Sequence, residues 1–179
     1  TAVYSQIDEA AWEQSLEAAK ERIRQVFRTA IANNVFINLD MEQYAHKDFL
    51  LQAFEDLIME DEFRKHPHFG IVLQAYLRDS AKDCDRMITL ARKRGTPFTI
   101  RLVKGAYWDF ETVQARQKGW NVPVYLNKKE SDANFETCAK KLIDAYPSLR
   151  VAIGSHNVRS ISAAVAYARA KGLDPRAME

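Results

Sequence analysis

Residues able to do chemistry recur in this sequence at the ends of short apolar runs. Asp40 closes Val35-Phe36-Ile37-Asn38-Leu39, and Gln74 closes Phe69-Gly70-Ile71-Val72-Leu73. Arg101 lies within, and Lys104 ends, the run Phe98-Thr99-Ile100-Arg101-Leu102-Val103-Lys104. Asn127 and Lys128 follow Val122-Pro123-Val124-Tyr125-Leu126, and Ser155, His156 and Asn157 follow Arg150-Val151-Ala152-Ile153-Gly154. Arg101 carries the most information. A guanidinium in an apolar run must be paired or must reach a ligand, because burying it bare costs too much. Gln74 needs a partner wherever it is buried. Asp40 could do no more than cap a turn, and His156 could serve either structure or proton transfer. Lys104 could act as a Schiff-base nucleophile of an aldolase-like enzyme. Five such endings together say more than any one of them.

Side chains alternate along a strand, so Asn38 and Asp40 share a face, as do Arg101 and Val103. Lys104 falls on the other parity unless the strand ends there. The elements that would carry these residues alternate between two periods. Apolar spacing predicts a helix over 9–31 with Asp8 or Ser5 as its cap, a strand over 35–40, and a helix around Leu50 to Ile58. A strand over 69–74 follows, then a helix capped by Ser80 and ended by Lys93-Arg94-Gly95 before Pro97. A third strand runs from Phe98 to Lys104, a short helix covers about 109–117, and Val122 to Asn127 reads as a fourth strand. Ser131 would cap the next helix, Arg150 to Ser155 reads as a fifth strand, and Asn157 would cap a last helix closed by Lys171-Gly172.

Strand and helix in alternation indicate an α/β fold with a parallel sheet, and near-continuous apolar strands indicate that both faces are covered. Two architectures fit. One is an open doubly wound sheet. The other is part of a (β/α)₈ TIM-type barrel, whose full size is about 250 residues. The start at Thr1, without an initiator Met or a signal peptide, favours the second: a partial barrel lacking its first strand and last two units, with 1–179 as one domain.

Composition narrows the function classes. The chain has 179 residues, 26 basic and 24 acidic, for a net charge of +2, so a strongly basic nucleic-acid surface is not expected. No apolar run approaches the roughly 18 residues of a membrane-spanning helix. Dinucleotide, P-loop and Gly-x-Ser-x-Gly motifs are absent. His46, His66, His68 and His156 lack metal-ligand spacing, so no metal site is expected. Cys84 and Cys138 read as buried reduced thiols, which suits a cytosolic or mitochondrial-matrix compartment. His66-Pro67-His68 reads as a loop tip. Arg64, Lys65, Arg92, Lys93 and Arg94 read as exposed helix-end charges.

The run Arg101-Leu102-Val103-Lys104-Gly105-Ala106-Tyr107-Trp108-Asp109 closely resembles the signature segment of the proline dehydrogenases, flavin-dependent (β/α)₈ barrels found alone or in bifunctional proline-utilisation enzymes. Pro123-Val124-Tyr125-Leu126-Asn127-Lys128, Ser131-Asp132 and Ile153-Gly154-Ser155-His156-Asn157 continue the resemblance. Asn38-Leu39-Asp40-Met41-Glu42 and Val72-Leu73-Gln74-Ala75-Tyr76 extend it upstream, so that it covers essentially the whole chain in order.

The resemblance implies oxidation of L-proline to pyrroline-5-carboxylate with FAD as cofactor. It places Arg101 against the redox end of the flavin ring, with Gln74, Lys104 and Trp108 also toward the cofactor. Lys128, Ser155, His156 and Asn157 would hold its phosphate or ribose portion. Tyr107 would pack beside the substrate, and Asp40 would belong to the polar network beneath it. The family's other carboxylate-binding groups, a lysine on the first strand and two arginines on the eighth helix, would fall outside residues 1–179. Little or no turnover is therefore expected of this chain alone. A quinone acceptor, peripheral membrane association of the parent enzyme, and a bacterial cytoplasmic or mitochondrial matrix-side location follow by the same resemblance. A non-catalytic scaffold module remains the other alternative, with self-association through open sheet edges.

Overall fold

The computed structural model describes residues 3–174 and 177–179. Four parallel strands form one sheet: β1 (Ile37–Leu39), β2 (Phe69–Gln74), β3 (Thr99–Val103) and β4 (Arg150–Gly154). Their order in space is β1-β2-β3-β4, the order of the chain. A doubly wound sheet reverses direction at a switch point. This one does not reverse, the singly wound order of a TIM-type barrel.

Among the described residues six α-helices accompany the sheet: α1 (Trp12–Ala32), α2 (Lys47–Met59), α3 (Ser80–Arg94), α4 (Trp108–Lys118), α5 (Lys128–Asp144) and α6 (Val158–Ala170). Their ends follow local chemistry. The Asp8 carboxylate accepts from the Ala10 amide and starts the 3₁₀ turn that leads into α1. Gly95, at φ 76°, ends α3 in the left-handed conformation that favours glycine. Asn157 caps α6 by accepting from the Ser160 amide at 3.1 Å.

Two expected caps move. Asp79, not Ser80, occupies the N-cap position of α3, while the Ser80 hydroxyl donates to the Leu77 carbonyl at 2.9 Å. Asn127 caps α5 by accepting from the Lys129 amide at 2.9 Å, and Ser131 is buried inside that helix.

The segment 122–127 is not a strand of the sheet. Val124 forms an isolated antiparallel bridge with Leu77, and the Arg78 amide donates to the Pro123 carbonyl at 2.9 Å. Its β-branched and aromatic composition reads as strand. The run is instead laid over the loop after β2, where Tyr76, Leu77 and Val124 form a small second core. α5 is therefore the helix that returns the chain from β3 to β4, and α4 is an excursion at the rim.

One continuous core lies between the strands and the helices. Ile71, Leu73, Ile100, Leu102 and Val151 point into it. Arg94 corrects the expectation of an exposed helix-end charge: it is 3% exposed. Its guanidinium donates to the carbonyls of Ile58, Phe63, His66, Thr96 and Pro97 at 2.7–3.3 Å. These carbonyls belong to the end of α2 and to the segments that lead into β2 and β3. Cys84 and Cys138 are buried and free, as expected. Hydrogen bonding with Cys138, together with burial, pushes the Cys84 thiol up, so it is a neutral thiol near pH 7.

Candidate active site

The sheet's register aligns the polar strand ends. Val72 pairs with Arg101 and Arg101 with Ala152; one step on, Gln74 pairs with Val103 and Val103 with Gly154. Paired residues in a parallel sheet share a face. Arg101 therefore points away from the core that takes Ile100 and Leu102, and its side chain is 49% exposed. Small partners make room for it. A Cβ on Gly154 would stand 2.9 Å from Val103 Cγ1 and 3.4 Å from Arg101 Nε.

At the carboxyl ends of the strands these side chains enclose a cavity of about 500 Å³. Asp40, Gln74, Arg101, Lys104, Tyr107, Lys128, Ser155, His156 and Asn157 line it, with Met41, Glu42 and the Gly105-Ala106 backbone. Trp108 is not among the lining residues. Its indole N–H donates to the Tyr125 carbonyl at 2.9 Å and ties the start of α4 to the loop before α5.

Arg101 Nη1 stands 3.9 Å from Asp40 Oδ1, a loose ion pair that leaves the guanidinium's other donors toward the cavity. The Asp40 carboxylate also accepts from the Met41 amide at 3.0 Å. Gln74 is 3% exposed. Its Nε2 donates to the Met41 and Glu42 carbonyls at 3.2 and 3.0 Å. Its buried Oε1 has no partner. A buried acceptor without a donor is costly.

Strand β3 stops at Val103, which frees Lys104 from strand parity. Its ammonium contacts the Asp132 carboxylate directly, and Lys128 reaches the other oxygen of that carboxylate at 2.8 Å. Hydrogen bonds from Lys104 and then Lys128 hold the Asp132 carboxyl below the usual range. An ammonium tied to a carboxylate is a poor carbonyl nucleophile, which weighs against the Schiff-base reading of Lys104. Past Lys104, Gly105 takes φ 129° and lies on the Tyr76 ring, where a Cβ would come within 2.4 Å of two ring carbons. Burial, reinforced by the charge of Glu111, pushes the Tyr76 hydroxyl up to about 12. Beyond β4, the Ser155 hydroxyl accepts from the Asn157 amide at 3.1 Å, so this turn is fixed and brings the start of α6 to the cavity.

Sequence reasoning did not single out Asp132 as a site residue, although its i, i+4 spacing from Lys128 signals the pair. It also passed over Glu111, which is buried and accepts from the Tyr44 amide at 2.7 Å. Nothing in the spacing of Glu111 marks it. Among the described residues no cluster of His, Cys, Asp or Glu could hold a metal ion, and no helix is long and apolar enough to cross a membrane.

Polar and cationic groups gathered at the carboxyl ends of singly wound parallel strands define a barrel enzyme's active-site face. The chain belongs to the proline dehydrogenase family, whose profile matches residues 2–179. It is 53% identical to the crystal structure of proline utilization A from Bdellovibrio bacteriovorus inactivated by N-propargylglycine, with a TM-score of 0.98 over 99% of this chain and 19% of that one. It is 30% identical to the bifunctional protein PutA of Klebsiella aerogenes over 91% of this chain, and 28% identical to the mitochondrial proline dehydrogenase 1 of Arabidopsis thaliana over 90%. The chain spans 12% and 33% of the length of those two relatives.

Proposed function

We propose that this chain supplies the cofactor side of an FAD-dependent proline dehydrogenase active site, as part of a barrel that oxidises L-proline to pyrroline-5-carboxylate in proline catabolism. The observation that carries the reading is the gathering of nine polar and charged side chains, Arg101 among them, around one cavity. The residues fit a flavin. The unpartnered Gln74 Oε1 calls for a ligand N–H, the Gly105 and Gly154 positions leave close approach to backbone, Arg101 offers charge to the ring, and Lys128 offers charge to an anionic tail.

Flavin, when bound, supplies the acceptor for the hydride that proline loses from the carbon beside its nitrogen. The chain's own groups orient and stabilise. Arg101 presents a fixed cation where negative charge accumulates, and its planar fork gives directional donors that Lys cannot copy. Gln74 offers an oriented acceptor. Lys104 lies toward the flavin beside them, and Lys128, Ser155, His156 and Asn157 hold the phosphate or ribose portion, with Trp108 bracing the adjoining loop. Tyr107 packs beside the substrate, and Asp40 holds Arg101 and its neighbours rather than abstracting a proton. A quinone is the final electron acceptor, reached by peripheral contact of the parent enzyme with a membrane. Its compartment is the bacterial cytoplasm or the matrix side of a mitochondrial membrane. Self-association through the outer edge of β1 is the alternative use of this chain.

The test is an anaerobic visible absorption spectrum of the full-length protein with and without L-proline. Flavin bands that bleach on adding proline are expected. A protein that takes up no FAD, or flavin bands unchanged by proline, would overturn the reading. Borohydride trapping of a carbonyl substrate on Lys104 would replace it with Schiff-base chemistry.

A further inference from the structure

The orientation of the Gln74 amide depends on a segment outside its own strand. Both Nε2 protons are taken by two successive carbonyls, Met41 and Glu42, and these bonds set which way round the amide sits against the cavity wall. An amide has nearly the same shape either way round, so its sense is set by the hydrogen-bond network. If residues 41–42 shift, the acceptor and donor ends of Gln74 can exchange.

Residues 40–43 connect the three-residue strand β1 to a 3₁₀ turn over Tyr44–His46. The far end of this connection is held at Tyr44. The Tyr44 hydroxyl lies 3.3 Å from Asp79 Oδ2, which also accepts from Lys47 Nζ at 2.7 Å. The Tyr44 backbone amide donates to Glu111 Oε1 at 2.7 Å, across to α4. Glu111 is 4% exposed and sits in the first turn of that helix. The reach of this bond from α4 is set by the length of the Glu111 side chain.

We propose that Glu111 is a positioning residue for the cavity: by holding the Tyr44 amide it fixes the Met41 and Glu42 carbonyls that orient Gln74. The excursion of the chain through α4 is thereby tied to the opposite wall of the site. What Gln74 then faces rests on the flavin reading; the brace itself does not.

Two conservative variants separate reach from charge. E111Q keeps an oxygen acceptor at the same reach and loses the charge. E111D keeps the charge and draws the acceptor back by one methylene. Both are made in the full-length protein, and two quantities are read: hydrogen exchange of the Tyr44 amide, and FAD affinity of the apoprotein by fluorescence titration. E111D should lose Tyr44 protection and bind FAD about tenfold or more weakly, the scale of one lost hydrogen bond to a charged group. E111Q should keep protection and stay within about threefold of wild type. Equal protection and affinity in all three proteins would overturn the proposal. So would E111Q failing as badly as E111D, since charge and not reach would then be the cause. If wild type takes up no FAD, the flavin reading fails, and Tyr44 protection still decides the brace.

Discussion

Replacing Arg94 with methionine tests whether a buried charge without a carboxylate partner holds the closed end of the sheet. Its five N–H groups meet five carbonyl oxygens, two of them, on Ile58 and Phe63, in fully buried bonds. Burial, with the nearby Arg64 charge, pulls Arg94 down to about 10, so it is still charged near pH 7. Methionine conserves much of the volume and removes every donor. Two buried carbonyls left without donors cost about 1–3 kcal/mol each. The three partly buried carbonyls can turn to water at little cost. Removing the desolvated charge returns part of the loss. The net is about 3 kcal/mol, or a fall in Tm of about 6–12 °C for a chain of this size. Thermal unfolding followed by circular dichroism measures it. Lysine, with three donors at one point, should recover half or less. Because Arg94 lies at the end of the strands remote from the cavity, FAD affinity of the folded variant should be unchanged. A Tm loss under about 2 °C would show that the carbonyls find water as readily as the guanidinium, and would refute the argument.

Three further outcomes follow from the site. Asp40→Ala should mainly weaken proline binding in steady-state kinetics, by about tenfold, because it loosens Arg101 and the Met41 amide; unchanged proline affinity would remove Asp40 from the network. Gly105→Ala should cost about 2–4 kcal/mol in chemical denaturation, since φ 129° and the Tyr76 ring both reject a Cβ; a loss under about 1 kcal/mol would contradict this. The Asp132 carboxyl, followed by NMR, should titrate below an ordinary aspartate. Its folded value is depressed, so the bridge to Lys104 and Lys128 is fully present above the unfolded value and is lost as pH falls through the folded one. A titration at or above the ordinary aspartate range would show that the bridge does not form.

The fold class was legible in the sequence because the strands that matter are near-continuous apolar runs. Phe69–Gln74 and Thr99–Val103 lie where the pattern puts them. The run at 122–127 misled because composition reports what suits a strand, not which neighbour it pairs with. Pro123 lacks an amide proton and supplies only its carbonyl, to Arg78. Without that false strand the distance from β3 to β4 becomes a single unit holding two helices. Alternation placed Arg101 correctly, because Ile100 and Leu102 on either side must face the core. It said nothing useful of Arg94, where a cluster of basic residues at a helix end hid one that turns inward. Glu111 was equally hidden, since the acceptor it provides serves a backbone amide 67 residues away, and backbone partners leave no mark on side-chain spacing.

Arg101 is the cation on which flavin reduction should depend most directly. Rapid mixing of the full-length flavoprotein with saturating L-proline gives the rate of flavin bleaching for wild type and for Arg101→Met. A rate slowed by about tenfold or more is expected, with little rescue by Arg101→Lys, the scale of a lost preorganised charge stabiliser. An unchanged rate in Arg101→Met would contradict this dependence.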